Sequence, residues 1–361
     1  MKYDPRKPYN DLPLLFPAEK YWKKIEIFEQ LNKANKKLAE LKGRLSSIPN
    51  LKIFINTLSL QEAKDSSSIE NIFTTTDKLF KAFTASTEGD PHTKEVLRYG
   101  KALTNAFESI KGGDSFSVDL IESIYRIIKN KKDGIRDKEV YIGNEYTKVY
   151  TPPCCEDIIL NKLKNWLTIA NQKNKIDPLI KMAVLHYQFE AIHPFIDGNG
   201  RVGRILNILY LSAQNLLDEP ILYHSGYINN NKNEYYKLLE NVTVKNEWGP
   251  WIIYMLKSIE LTARNTLNKV KAIIELFDKT KRIIKNEIPS IYSYELVEIL
   301  FTQVYCKYSF LMERGIASRN TARKYMNKLI ENGFVEKEKI GNEFIFKNIG
   351  LYNLIKQTNK F

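Results

Sequence analysis

The chain has 361 residues, 43% hydrophobic and 27% charged, with 55 Lys and Arg against 42 Asp and Glu for a formal charge of +13. That length suits two or three domains of ~150 residues, no apolar run approaches the ~18 residues of a membrane helix, and no apolar stretch follows the N-terminus to make a secretory signal. Of the three cysteines two are adjacent, Cys154 and Cys155. No His stands at metal-ligand spacing from them, which argues against a disulfide framework or a zinc site and for a reduced, cytoplasmic compartment.

Residues 20–45 are rich in Lys, Glu and Leu, and Ile25, Ile27, Phe28, Leu31, Leu38 and Leu41 predict a long helix. Its heptads are too few to favour a coiled coil. In the stretch Ser66-Ser67-Ser68-Ile69-Glu70-Asn71, Ser67 and Glu70 are spaced as a helix capping box. Residues 140–153 hold two short β-prone runs around Gly143-Asn144, stopped by a double proline, which predicts a hairpin in a helical region. Ile180, Ala183, Val184, Tyr187 and Ala191 then line one stripe of a helix that Pro194 ends.

The segment His193-Pro194-Phe195-Ile196-Asp197-Gly198-Asn199-Gly200-Arg201-Val202-Gly203-Arg204 concentrates the chemistry. A Gly-Asn-Gly turn can aim backbone N–H groups inward as an anion nest. It feeds a helix carrying Val202, Ile205, Leu206 and Leu209 at helical spacing, a ready phosphate site. Arg201 and Arg204 fall near one face, where they can fork onto phosphate oxygens. Asp197 offers a hard oxygen to Mg²⁺, and His193 can take a proton near neutral pH. Few chemistries need all of these together, and transfer of part of a nucleoside triphosphate is the leading one.

Glu234-Tyr235-Tyr236 sits on a later helix, where core packing alone explains two tyrosines. From about residue 279 the character changes. Residues 292–301, 307–314 and 318–332 predict three helices, the last closed by Gly333. Ala322, Tyr325, Met326, Leu329 and Ile330 line one face of it, and Arg319, Arg323, Lys324 and Lys328 the other. Residues 335–346 alternate as two strands around Ile340-Gly341-Asn342. This is the pattern of a winged helix-turn-helix, whose basic third helix could enter a major groove. A solvated basic face has the same composition.

The segment from His193 to Arg204 resembles the signature of the Fic (Fic/Doc) family, H-x-F-x-[D/E]-G-N-G-R-x-x-R, at every specified position. The resemblance implies a mostly α protein: a Fic-type helical bundle with a small β-hairpin flap as catalytic core (111–265), an N-terminal helical region (1–110) and the winged helix (279–361). It implies movement of AMP from ATP onto a Ser, Thr or Tyr hydroxyl of the chain itself or a target protein, with release of pyrophosphate. His193 is then the general base, Asp197 holds Mg²⁺ and Phe195 anchors the loop. Gly198, Asn199, Gly200, Arg201, Val202, Gly203 and Arg204 bind ATP.

The hairpin resembles the family's flap, with Ile142 and Gly143 beside ATP and a strand edge that holds the target's backbone; an ordinary surface hairpin is the plainer reading. Tyr235 and Tyr236 would border the nucleoside. Ser66, Glu70 and Asn71 fit the family's inhibitory pattern [S/T]-x-x-x-E-[G/N], which puts Glu70 on Arg204. Expected partners are the target protein, a second copy of the chain and nucleic acid at the winged helix, with no membrane. Another phosphate donor (UTP, GTP or CDP-choline), removal of AMP, and a nucleotide-sensing DNA-binding regulator are the alternatives.

Overall fold

The structure, a computed structural model, describes residues 3–46, 48, 50–85, 89–143 and 146–357. Residues 3–18 run without regular structure to a 3₁₀ turn, Glu19–Tyr21, and then to α1 (Ile25–Leu45). Helix α1 begins later than predicted because Lys23 N–H donates to Glu19 O at 2.7 Å, closing a tight turn first. It buries Ile27, Leu31, Ala34, Leu38, Leu41 and Leu45. Ile25 and Phe28, counted above in the apolar face, are exposed because they lie off that stripe. The alternating spacing of four and three is a coiled-coil seam, and this chain fills it with its own helix at Trp248–Glu287.

Helix α2 (Lys52–Ile69) follows, then α3 (Thr76–Ala85), α4 (Pro91–Lys111) and α5 (Val118–Lys129). The N-caps of α4 and α5 are Asp90, accepting from Thr93 N–H, and Ser117, accepting from Leu120 N–H. Strands β1 (Ile142–Gly143) and β2 (Lys148–Tyr150) form the expected hairpin, antiparallel, with Ile142 opposite Tyr150 and a bulge at Gly143. Asn144, at its expected turn, lies outside the described residues. The bundle then continues with α6 (Glu156–Asn171), α7 (Pro178–Ile192), α8 (Asn199–Ala213), α9 (His224–Asn230), α10 (Lys232–Lys245) and α11 (Trp248–Glu287). Helix α7 is buried all round, from Leu179 to Phe189, and packs on α6, α8 and α11. An apolar helix without a polar face belongs at a bundle's centre.

No linker separates the core from the C-terminal part: α11 runs unbroken for 40 residues through positions 265–279. Beyond it come α12 (Tyr294–Thr302), β3 (Tyr305–Lys307), α13 (Tyr308–Glu313), α14 (Arg319–Glu331), β4 (Val335–Ile340), β5 (Glu343–Asn348) and α15 (Ile349–Lys356). The three strands form an antiparallel sheet in the order β3-β5-β4. Helix α14 buries Ala322, Met326 and Leu329 and leaves Arg319, Arg323 and Lys324 exposed. One contiguous hydrophobic core includes residues from α1 through α15. Among the described residues no helix is long and apolar enough to cross a membrane.

Candidate active site

Helix α7 ends at His193, which adopts the left-handed conformation (φ 51°, ψ 60°) and donates its backbone N–H to Phe189 O at 3.0 Å. The side-chain Nδ1 lies 3.3 Å from Glu190 O. A carbonyl only accepts, so Nδ1 carries the proton and Nε2 keeps its lone pair. Burial pushes the imidazole down to about 4, opposed by the Glu190 hydrogen bond and reinforced by the Arg136 charge. His193 is therefore neutral at pH 7.

The loop after it is held from inside. Phe195 is fully buried and stacks on Tyr125, ring centroids 4.1 Å apart. Asn199 accepts from Phe195 N–H and donates to Phe195 O, both at 2.8 Å. Gly198 caps α8 at φ 85°, a backbone conformation that glycine adopts without strain. The first turn of α8 thus presents its free N–H groups beside His193.

Both motif arginines are buried and ion-paired rather than open to solvent. Arg201 pairs with Glu95 of α4 and lies 3.9 Å from Asp197. Arg204 reaches α2: Nε donates to Ser66 Oγ at 2.8 Å, and Nη2 donates to Ser66 O at 2.9 Å and to Glu70 Oε1 at 2.8 Å. Glu70 is the C-cap of α2 and Asn71 follows it at φ 60°. The capping-box reading of Ser67 and Glu70 is therefore overturned, since a capping box belongs at a helix N-terminus and here the helix ends. A Cβ at Gly200 would collide with the Glu70 carboxylate and stand 2.8 Å from Arg204 Nη1, so glycine there lets Glu70 lie against α8.

These groups share a cavity of about 380 Å³ with His193, Tyr235, Tyr236 and the flap residue Ile142 on its walls. Tyr235 is fully buried, its hydroxyl 2.9 Å from His186 Nε2 and its ring against Trp251. Tyr236 is 43% exposed and is the one of the pair that can offer a face to a ligand.

Several other expected site residues do not line this cavity. Val202 is in the core. Gly203 backs onto Glu190, where a Cβ would stand 2.5 Å from Oε1. Gly143 (φ 140°) shapes the flap's bulge, where a Cβ would strike Thr147 O. Asp197 is at the exposed mouth, bonded by Lys129 Nζ at 2.5 Å. Burial raises its pKa, but the Lys129 hydrogen bond and the Lys129 and Arg201 charges hold it below the usual carboxylate value.

Sequence reading missed four functional residues. Glu95 and Lys129 complete the network around Arg201 and Asp197, with Lys129 Nζ 3.3 Å from Glu95. Arg136 is buried with its guanidinium spread over backbone carbonyls, donating to His193 O and Lys138 O at 2.8 Å, Pro153 O at 2.6 Å and Ile192 O at 3.4 Å. Glu190 lines the cavity with Oε1 buried and without a hydrogen-bond partner. Burial pushes it up to about 8, with the Arg204 charge opposing and Glu70 adding. Only Glu190 had a visible signal, as an acid inside an apolar helix one turn before His193.

Three family models match the chain: "Fic/DOC family N-terminal" at residues 28–108, "Fic/DOC family" at 115–211, and "Protein adenylyltransferase SoFic-like, C-terminal domain" at 276–351. Protein adenylyltransferase fic-1 of Caenorhabditis elegans is 27% identical over 168 residues, 45% of this chain and 30% of the relative. A probable protein adenylyltransferase of Aquifex aeolicus is 29% identical over 187 residues, 49% of this chain and 55% of the relative. The chain thus spans at most about half the length of these two curated relatives. A solved Fic family protein from Desulfovibrio desulfuricans shares the fold, with a TM-score of 0.58 at 18% identity over 91% of this chain and 97% of that one. A fragment of C. elegans Fic-1 gives 0.53 at 20% identity, over 67% and 73% of the two chains. With the twelve-residue signature intact on the α7–α8 turn and family matches along N-terminal, central and C-terminal regions, this chain belongs to the Fic family.

Proposed function

We propose that the chain moves AMP from ATP to a Ser, Thr or Tyr hydroxyl of itself or of a target protein, and that α2 restrains this through Glu70. One observation carries the reading: a neutral His193 with Nε2 open shares a cavity with the α8 N-terminus and Arg204. The target hydroxyl donates to Nε2, and its oxygen attacks the α-phosphorus as the bond to the pyrophosphate oxygen breaks. The proton ends on His193. The α8 N–H groups and the motif arginines stabilise the charge that gathers on the leaving pyrophosphate. Curated relatives named protein adenylyltransferases support the donor and the reaction class.

Asp197 is the residue that would hold Mg²⁺. Its exposed carboxylate already draws a cation, the Lys129 ammonium. Among the described residues no cluster of three acidic, His or Cys ligands exists. A single carboxylate suits an ion that completes its shell with substrate phosphates and water. Mg²⁺ there supplies neutralising charge for the phosphates. Target recognition falls to the flap, whose Ile142 and Val149 are exposed and whose strands can accept one more.

Incubation with ATP and Mg²⁺, followed by intact-protein mass spectrometry, tests this. A gain of one AMP is expected, larger in Glu70→Gly. A gain from UTP or GTP alone would change the donor. No covalent gain from any nucleotide, even in Glu70→Gly, would remove transfer and leave nucleotide sensing.

A further inference from the structure

Residues 3–10 precede all three matched family regions, the first of which begins at residue 28, yet they reach the active-site cavity. Tyr9 N–H donates to Thr151 O at 3.0 Å, Thr151 Oγ1 donates to Pro5 O at 2.7 Å, and Cys154 N–H donates to Asn10 Oδ1 at 2.9 Å. The segment is thereby laced along the chain that leaves β2. Tyr3 stands at its end. Its hydroxyl donates to Val149 O at 3.1 Å, and its ring stacks on Tyr150 with centroids 6.0 Å apart. Tyr150 in turn donates to Ala191 O at 2.7 Å, on α7 just before His193. Tyr3 itself forms part of the cavity wall.

The cavity has two unlike ends. Gly200, Arg204 and the α8 N-terminus mark the phosphate end, and Tyr236 borders it, its ring 5.9 Å from the Lys232 ammonium that donates to Ile69 O beside Glu70. Val244 lines the cavity eight residues further along α10, about 12 Å away at ~1.5 Å per residue. Tyr3 lies on the side away from the phosphates: its hydroxyl is bonded to Val149 of β2, and it shares the cavity wall with Glu240, one helical turn beyond Tyr236. Burial together with the Glu240 charge raises the Tyr3 pKa. Val149, Leu239 and Val244 add apolar surface to the same cavity wall. An apolar, aromatic slot a nucleoside's length from the phosphate end fits a base and not a phosphate.

We propose that Tyr3 is a nucleotide-binding residue: the N-terminal segment closes the base end of the cavity, and the Tyr3 ring packs against the adenine of ATP. This rests on the adenylyl-transfer reading above, which fixes the donor. Aromatic packing on a base is sequence-tolerant and is lost when the ring is removed. The hydroxyl serves Val149 and not the ligand, so a phenyl ring should replace the phenol.

The test uses the full chain carrying Glu70→Gly, so that Arg204 is available, and measures dissociation constants for ATP and for inorganic tripolyphosphate by calorimetry. Tyr3→Ala should weaken ATP by at least ~5-fold, the lower end for loss of one base–aromatic contact. Tripolyphosphate should change by less than about two-fold, because its site lies at the other end, and Tyr3→Phe should keep most of the ATP affinity. Unchanged ATP binding in Tyr3→Ala overturns the proposal. So does an equal loss for ATP and tripolyphosphate, which would mean the segment only braces the flap. If the parent binds neither compound, the adenylyl-transfer reading fails first and this inference falls with it.

Discussion

Free imidazole titrates near pH 6.5, so a histidine base with ordinary surroundings is partly protonated at neutral pH. His193 escapes this because burial brings it to about 4. Initial labelling rates should accordingly stay flat from pH 7.5 down to about 5.5, whereas a half-loss near ~6.5 would show an ordinary, solvated imidazole. His193→Ala should lower labelling by ~10²–10⁴-fold while ATP still binds, since the phosphate contacts lie on α8; near-normal labelling would end its role as base. Linkage gives His193 a sign as well. Its folded pKa lies below the unfolded one, so its share of stability is full above about 6.5 and is lost as pH falls toward about 4. Glu190 works the other way. Raised to about 8, it keeps its proton in the folded chain after the unfolded chain has lost it, so stability falls as pH climbs from about 4.5 through 8. Glu190→Gln should leave the melting temperature nearly unchanged at pH 4 and raise it above that of the parent at pH 9. Equal melting curves at both pH values would show an already ionised Glu190. Glu70 joins the site by charge: truncating one member of a desolvated ion pair shifts an equilibrium by about 2–5 kcal/mol. Glu70→Gly should therefore raise self-labelling with ATP by at least ~10-fold, allowing for the two bonds that Ser66 still makes to Arg204. Unchanged labelling in that variant removes the restraint.

Elements were legible where chemistry is local. The signature put its imidazole, carboxylate, glycines and arginines in consecutive residues, and helical spacing placed α7 and α8 around it. What local spacing does not carry is which face of a helix another segment covers. The stripe of α1 was readable, but not that α11 fills it. Helix α2 gave no amphipathic pattern at all, because it buries Thr57, Ser59, Gln61, Glu62, Ser66 and Ser67 along with its apolar residues. Glu95 and Lys129 meet the motif across 106 and 68 positions of sequence, and nothing periodic records such contacts. Arg136 is the sharpest case. From an irregular stretch it fastens the C-terminus of α7, the His193 carbonyl and the exit of the flap at once. A planar fork with five donors suits several carbonyls, and a lysine ammonium does not reproduce that spread. Arg136→Ala and Arg136→Lys should both reduce labelling and lower the melting temperature, since each leaves buried carbonyls unpaired at about 1–3 kcal/mol per group. Full rescue by lysine would mean that only the charge matters.

At the scale of the whole molecule, the change in composition near residue 279 reads as a separable C-terminal module, and the packing joins that module closely to the core. Helix α11 carries the core into it without a break. Helix α2 touches it at two places: Asn56 Nδ2 donates to Thr302 O at 3.2 Å and Gln61 Nε2 to Ile355 O at 2.7 Å. From α3, Asp77 accepts from Tyr305 Oη at 2.6 Å, and Lys81 pairs with Glu338 at 2.5 Å. The helix that ends in Glu70 is thus pinned at one end by Arg204 and along its length by the C-terminal part. Gln61 is the place to test whether these regions fold as one. Its carbonyl also accepts from Lys269 Nζ at 3.0 Å, and burial has already pushed that lysine down to about 8. Gln61→Ala strands Lys269 and the Ile355 carbonyl together. A buried polar group left unpaired costs about 1–3 kcal/mol, which in a chain this long lowers the melting temperature by a few degrees at most. In a single cooperative unit that shift moves one calorimetric transition as a whole, and deletion of residues 279–361 leaves a protein that melts much lower or does not stay in solution. Two independent transitions, with Gln61→Ala moving only one, would show a C-terminal module that folds on its own and merely rests on α2.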